Sequence, residues 1–528
     1  MDRRLLALTV LLVGLAGCGA EPAPLPPKPA PPPEVRATEN QGELKAASWR
    51  AAAAAEARRL ALLRAAIRRA HHARTVTGAL RYALLTGSVS PATHARLTRE
   101  YNDAHRALDH LTGTRAAELH TVLTTVNDLA SQHLLSPGRL RPTFLILHRN
   151  TEFWTHAPFP AASQRTTFGR DPAVFQYYPG RGLQLQPLAS WGKVNWLARQ
   201  CLTHRTRARR RAACPVHELR RTVDRLLELA APRGDFLAWE HYFSWGGGTP
   251  PWISGMTQAT AVSALARASQ ALDEPRWRAA AHRALGAFTT PPPVGVDGGD
   301  HFLMYSFSPS LRVFNGELQA VSGIGQYAAL FPRDRRAGRL FRIGERTARG
   351  LIPASDTGAW SLYSYGGRES TLGYHQLIEG FFENMCKQTL RRVYCAAHDR
   401  FARYEREPTR IGIAPLRKLR ARHMAAVRFS ISKVSSVTVQ VFDKHGLELA
   451  RGLELPHGDH AIAWTPPSRG RYRLRIAAQG PSGPLGVATR KIHVVLPKPK
   501  PKKHCGKHKR HGAKCKLTPR PKGDKLDG

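Results

Sequence analysis

Two apolar periods divide this chain. Up to about residue 410 apolar side chains recur at helical spacing, whereas from about 425 to 496 they alternate one in, one out. A pattern of period 3.6 cannot bury its apolar face as a strand, nor a pattern of period 2 as a helix, so the two parts must be built differently. Within residues 140–410, helical stretches such as 216–229, 258–272 and 276–287 alternate with aromatic, glycine-rich loops. Examples are Gln176-Tyr177-Tyr178-Pro179-Gly180, the run from Tyr242 to Gly248, and the run from Trp360 to Arg368. Helix pairs joined by such loops imply an α/α toroid whose loops line a cleft at one end of the ring. Residues 43–139 are helical as well: 51–70 consists mostly of strong helix formers, and Ser90-Pro91 reads as an N-cap followed by proline at the first helical position. Residues 424–496 hold five short strands, at 427–431, 437–442, 460–464, 472–476 and 487–494, which reads as an immunoglobulin-like β-sandwich. The expected class is therefore mainly α, with a helical N-terminal segment, a toroid and a C-terminal sandwich.

The chain opens on Met1-Asp2-Arg3-Arg4, an apolar run over 5–15, and Leu15-Ala16-Gly17-Cys18. A short basic start, an apolar stretch too short to span a bilayer and small residues before a cysteine read as a lipoprotein signal peptide over 1–18, with Cys18 lipidated after cleavage. A plain secretory signal is the alternative. Replacing Cys18 by serine is expected to release the protein from membranes or leave the signal uncleaved; unchanged retention and processing would exclude the anchor. Residues 19–42 form a proline-rich linker suited to an extended spacer. Six further cysteines fall into three close pairs, Cys201 with Cys214, Cys386 with Cys395 and Cys505 with Cys515. Proximity favours these pairs as disulfides, although a count of six fixes no connectivity. The net charge is +42, from 80 Lys and Arg against 38 Asp and Glu, and in residues 497–528 twelve cations face Asp524 and Asp527. Such a surface favours polyanions. In an exported protein held on the outer face of a membrane these are acidic polysaccharides or cell-wall polyanions rather than nucleic acid. A homodimer is left open by the sequence.

No phosphate-binding loop, dinucleotide fingerprint, HExxH or GxSxG is present, and the aromatic loops hold few carboxylates but many tyrosines with arginines nearby. This set suits abstraction of a proton next to a carboxylate. A cation must neutralise the carboxylate so that an enediolate-like intermediate is reachable, and one group must take the proton on one face while another returns it on the other. Tyrosine serves either role, and an adjacent arginine would lower its ordinary pKa of about 10.

The segment from Pro251 to Ala261, then Tyr305 with Asn315-Gly316, and then Asp356 to Tyr363 with Gly373-Tyr374-His375-Gln376-Leu377, resemble in order and spacing three blocks of the D-glucuronyl carbon-5 epimerases. The resemblance spans roughly 170–400. It implies an isomerase that inverts carbon 5 of D-glucuronate residues to L-iduronate in an acidic, heparosan- or heparan-sulfate-like polysaccharide, without cofactor or metal. Tyr305, Tyr363 and Tyr374, at the family's positions, are the candidate proton carriers, and Arg368, in the loop after Tyr363, is placed to be the cation. Trp252, Asn315, Trp360 and His375 are implied as substrate contacts. One departure stands out: the family's glutamate before the first tyrosine is Met304 here. Two other readings stay open, a polysaccharide lyase that shares the deprotonation and a non-catalytic glycan-binding envelope protein.

Overall fold

The computed structural model describes residues 38–205, 214–416 and 419–496. Cys18, Cys505, Cys515 and the basic tail lie outside the described residues. The chain divides into two compact units, 1–66 and 67–528. In the first, the described residues belong to helix α1 (Thr38–His72), whose side chains over 52–63 are exposed.

The second unit begins with helices α2 (Val76–Leu85), α3 (Pro91–Leu108), α4 (Gly113–Ser131) and α5 (Pro137–His156), which share a core that includes Leu80, Leu97, Leu123, Phe144 and Leu147. Ser90 caps α3, its Oγ accepting from the Thr93 N–H at 3.2 Å, with Pro91 in the first turn. Strands β1 (Arg165–Phe168), β2 (Asp171–Tyr178) and β3 (Gly182–Leu185) follow as an antiparallel sheet. The buried Glu118 of α4 holds its turn, accepting from the Tyr177 hydroxyl and from the Gly180 and Gly182 N–H groups, each at 2.7 Å.

Helices α6 (Pro187–Arg205) and α7 (Val216–Glu228) lead to a small hairpin of β4 (Ala231–Arg233) and β5 (Phe236–Ala238). Then come α8 (Gly255–Leu272), α9 (Pro275–Ala284), α10 (Phe314–Leu330), α11 (Arg335–Ala354), α12 (Leu372–Thr389) and α13 (Arg392–Arg406). The main interfaces run in a row, α6 to α8 to α10 to α12, and α7, α9, α11 and α13 each pack on the helix they follow. Small residues allow close approach: a Cβ on Gly323 of α10 would lie 2.6 Å from the Ala259 carbonyl of α8.

After α13 come β6 (Ile411–Ile413), β7 (Leu419–Arg420), β8 (Ala425–Ile431), β9 (Ser435–Phe442), β10 (Leu447–Leu455), β11 (Gly458–Trp464), β12 (Gly470–Gln479) and β13 (Gly486–Val495). They form a five-stranded sheet, β10-β9-β12-β13-β7, and a three-stranded sheet, β11-β8-β6, around a core that includes Val427, Phe429, Val439, Leu474 and Ile476.

This architecture corrects the expected class. The protein is not a mainly α toroid carrying an immunoglobulin-like sandwich. It is a mixed α and β protein in which thirteen helices and thirteen strands are described, and the five-stranded sheet curls as a half-barrel. The helix interfaces make a row, and the β1–β3 sheet takes in the aromatic turn over 176–180, expected as a connecting loop. Strand twist supplies the curl, because β12 pairs along its length with both β9 and β13 and rotation accumulates across the sheet. Cys201–Cys214 and Cys386–Cys395 are disulfides. Among the described residues no helix is long and apolar enough to cross a membrane.

Two buried charges fasten the C-terminal strands to the helices. Lys433 donates to the Tyr404 and Glu407 carbonyls at the end of α13, at 2.6 and 2.7 Å, which satisfies carbonyls a helix C-terminus leaves open. Glu369 reaches the other way, its oxygens accepting from the Val434 and His457 N–H groups, each at 2.7 Å.

Candidate functional site

Short β-bridges draw the aromatic loops together at the N-terminal ends of α8 and α10. His241 pairs with Trp252, Ser254 with Tyr305, and Val313 with Ser364. The Phe314 N–H that opens α10 donates to the Tyr363 carbonyl at 3.2 Å. Residues far apart in sequence, Tyr305 and Tyr363, thereby share one apolar patch with Met256, Met304, Val313 and Leu188.

Tyr363 and Tyr374 are in contact, ring centroids 4.8 Å apart and planes at 67°. Burial first, then the charges of Tyr374 and Tyr305, push Tyr363 up to about 12. Burial likewise raises Tyr305, against a hydrogen bond from Trp245. The lowering expected of an adjacent arginine is thus absent at these two hydroxyls. Arg368 follows in the same loop, exposed, its guanidinium without a hydrogen bond or carboxylate partner among the described residues.

The expected ligand contacts divide by depth. Trp252 is buried, donates to the Phe243 carbonyl at 2.7 Å, stacks on His241 at 4.1 Å and meets Tyr305 edge-on at 5.2 Å. Trp360 and His375 are fully buried and stacked at 3.8 Å. His375 Nε2 donates to the Phe401 carbonyl at 3.1 Å, which leaves Nδ1 to accept from the Ser361 hydroxyl at 2.8 Å. Both nitrogens are satisfied, and burial lowers the pKa of the ring. Trp252 therefore packs beneath Tyr305, whereas Trp360 and His375 are core residues, His375 packing on Phe401 of α13. Asn315 is buried in the first turn of α10 and its Oδ1 has no hydrogen-bond partner among the described residues. Met304 packs among apolar side chains and against Gly316, whose added Cβ would stand 3.2 Å from Met304 Cγ.

Several neighbours were not singled out from the sequence. Tyr178, at the end of β2, contacts Phe243 at 4.7 Å and Trp245 at 5.6 Å. Burial and then the charge of Tyr305 push it up to about 12, so a fourth hydroxyl joins the cluster. Its aromatic turn was the available signal. Glu240 is completely buried between Arg139 and Arg233. Glu317 holds Arg312 through two hydrogen bonds, and Arg312 lies over the Tyr365 ring at 4.7 Å.

Tyr363 and Tyr374 open on a cleft of about 590 Å³, lined on one side by these two with Arg368 and Thr371 and on the other by Val434, Glu454, Leu455 and Pro456. An arginine free to meet a carboxylate and phenols able to carry protons stand on its helical wall. This is the equipment for removing and returning a proton beside a carboxylate.

Residues 233–403 match the family model described as the D-glucuronyl C5-epimerase C-terminus, and all eight expected catalytic and ligand-contacting residues lie within the match. The match covers about a third of the chain and supports a carbohydrate epimerase in general terms. No curated protein matches the sequence. Among solved structures, a cellobiose 2-epimerase from Spirochaeta thermophila is 16% identical with a TM-score of 0.33, over 55% of this chain and 72% of that one. A glycosyl hydrolase family 88 protein from Bacteroides vulgatus is 10% identical with a TM-score of 0.31, over 59% and 84%. A CARDB domain from Pyrococcus furiosus is 20% identical with a TM-score of 0.15, over 18% and 97%. Likenesses this distant carry no argument about function.

Proposed function

We propose, on the premise that residues 233–403 form a D-glucuronyl C5-epimerase C-terminal domain, that this chain inverts carbon 5 of D-glucuronate residues in an acidic polysaccharide. The observation that carries the proposal is the meeting of Tyr305, Tyr363 and Tyr374 in one cluster beside the unpaired Arg368. Arg368 takes the substrate carboxylate and stabilises the charge that moves onto it as the C5–H bond breaks. Tyr363, which holds its proton up to about 12, is the donor that re-protonates carbon 5. Tyr374, 39% exposed, is the group that takes the proton from carbon 5. The proton taken by one phenol and the proton given by the other leave the substrate's composition unchanged and its configuration inverted. We read the chain as exported, held at the membrane through Cys18, with its basic tail on acidic envelope polymers.

The deciding experiment is incubation with glucuronate-containing glycans in deuterated water. Deuterium at carbon 5 supports the epimerase, and an unsaturated product absorbing in the ultraviolet would assign a lyase instead. Binding without exchange would assign a glycan-binding protein, a reading that Met304 favours, since it sets an apolar side chain where the family carries a carboxylate.

The pH profile follows from the donor. At high pH exchange should fall only where the donor loses its proton. With Tyr363 pushed up to about 12, no descending limb is expected below about pH 10. A descending limb centred between about pH 7 and 9 would take the donor role away from Tyr363.

A further inference from the structure

We infer that the C-terminal β-domain is part of the working cleft: Leu455, Pro456 and Val434, with Glu454, form a subsite for the sugar unit next to the uronate being epimerised. The inference rests on the proposed function for the identity of the ligand. Its geometry is independent of the family match, which ends at residue 403, before the first of these strands.

Three observations carry it. The cleft has two walls, and the second is made wholly by the turn before β9 and the end of β10 with the residue after it. That wall is fixed in place: Glu369, next to Arg368 in sequence, is bonded to the backbone of Val434 and of His457, which flanks Pro456, and Lys433, next to Val434, is bonded to the end of α13. Its surface also suits a pyranose. Val434, Leu455 and Pro456 offer an apolar face to ring C–H groups. Glu454 is exposed, and its carboxylate makes no hydrogen bond or ion pair among the described residues, which leaves its oxygens to accept from sugar hydroxyls. A carboxylate seated on Arg368 puts the uronate against the tyrosines, and the next unit of the same polymer must then leave along the β-domain wall.

The test compares ligands of two lengths on the full chain: a tetrasaccharide with an internal glucuronate, and methyl glucuronide, which has no neighbouring sugar. Leu455→Ala/Pro456→Ala and Glu454→Gln change side chains at the surface of this wall. The double variant should raise KM for the tetrasaccharide about tenfold, from the apolar contact it removes. It should leave kcat, and the exchange of methyl glucuronide, unchanged. Glu454→Gln should raise the same KM by a smaller factor. An unchanged KM on the tetrasaccharide overturns the subsite while the epimerase reading stands. Equal losses on both ligands also overturn it, because the change would then act on the catalytic loop. Should the wild type show no exchange, calorimetric binding of the tetrasaccharide decides separately. Weaker binding by the double variant supports the subsite, whereas equal binding, or no binding by either protein, overturns it.

Discussion

Tyr363→Phe and Tyr374→Phe are each expected to slow deuterium exchange at carbon 5 at least a hundredfold, the low end of the roughly two to four powers of ten that a general acid or base contributes. Phenylalanine keeps the ring, so the 4.8 Å contact between the two residues and the apolar patch beneath Tyr363 persist, and glycan affinity should change little. The two residues are in contact and act in one step, so the double variant should be far less than additive. Arg368→Ala should differ in kind, weakening binding and rate together, because it removes a charge used in both ground and transition states. Measured kcat, KM and exchange rates separate these patterns. If Tyr363→Phe keeps more than about a tenth of wild-type exchange, its hydroxyl is not the donor.

Much of this site could be read before any coordinates, and the reason lies in how it is built. Tyr305 and Tyr363 sit in loops and Tyr374 in the first turn of α12, all bounded by helices with clear periods, so block order and spacing carry the information. The strands expected over 427–494 lie inside β8, β9, β11, β12 and β13 for the same reason, since their apolar residues alternate. β10 escaped because Arg451 interrupts its alternation and most of it is exposed. β2 escaped because it is buried on both faces and shows no alternation at all. The direction of the tyrosine pKa shifts could not be read either. Sequence places Arg368 near the phenols, but burial and the mutual proximity of the phenols set the shifts at Tyr305 and Tyr363.

Glu240 shows what such a reading misses most, and it sets the largest expected loss of stability. Its two oxygens accept from Arg139 at 2.7 and 2.9 Å, from Arg233 at 2.7 Å and from the Tyr242 hydroxyl at 2.9 Å. Arg139 comes from α5, 101 residues away, so no local pattern announces the pair. Arg233 also donates to the Pro251, Pro293 and Val294 carbonyls, which pins the loops on either side of the Trp252 floor. The Glu240 side chain is 0% exposed, Arg233 is 9% exposed and Arg139 is 14% exposed. Burial pulls Arg139 down, yet the hydrogen bonds and charge of Glu240 outweigh it and raise its pKa. Glu240→Ala would strand two guanidinium charges in a site of low polarity, at a cost of about 3–5 kcal/mol. Replacing all three charged groups by apolar residues of similar volume, Arg139→Met/Arg233→Met/Glu240→Leu, should recover much of that loss, because it removes the buried charges together with their partner. Denaturant unfolding of the wild type and the two variants tests this ordering. A Glu240→Ala variant within about 1 kcal/mol of wild type would mean that water reaches these arginines and that the network does not hold the loops under Tyr305.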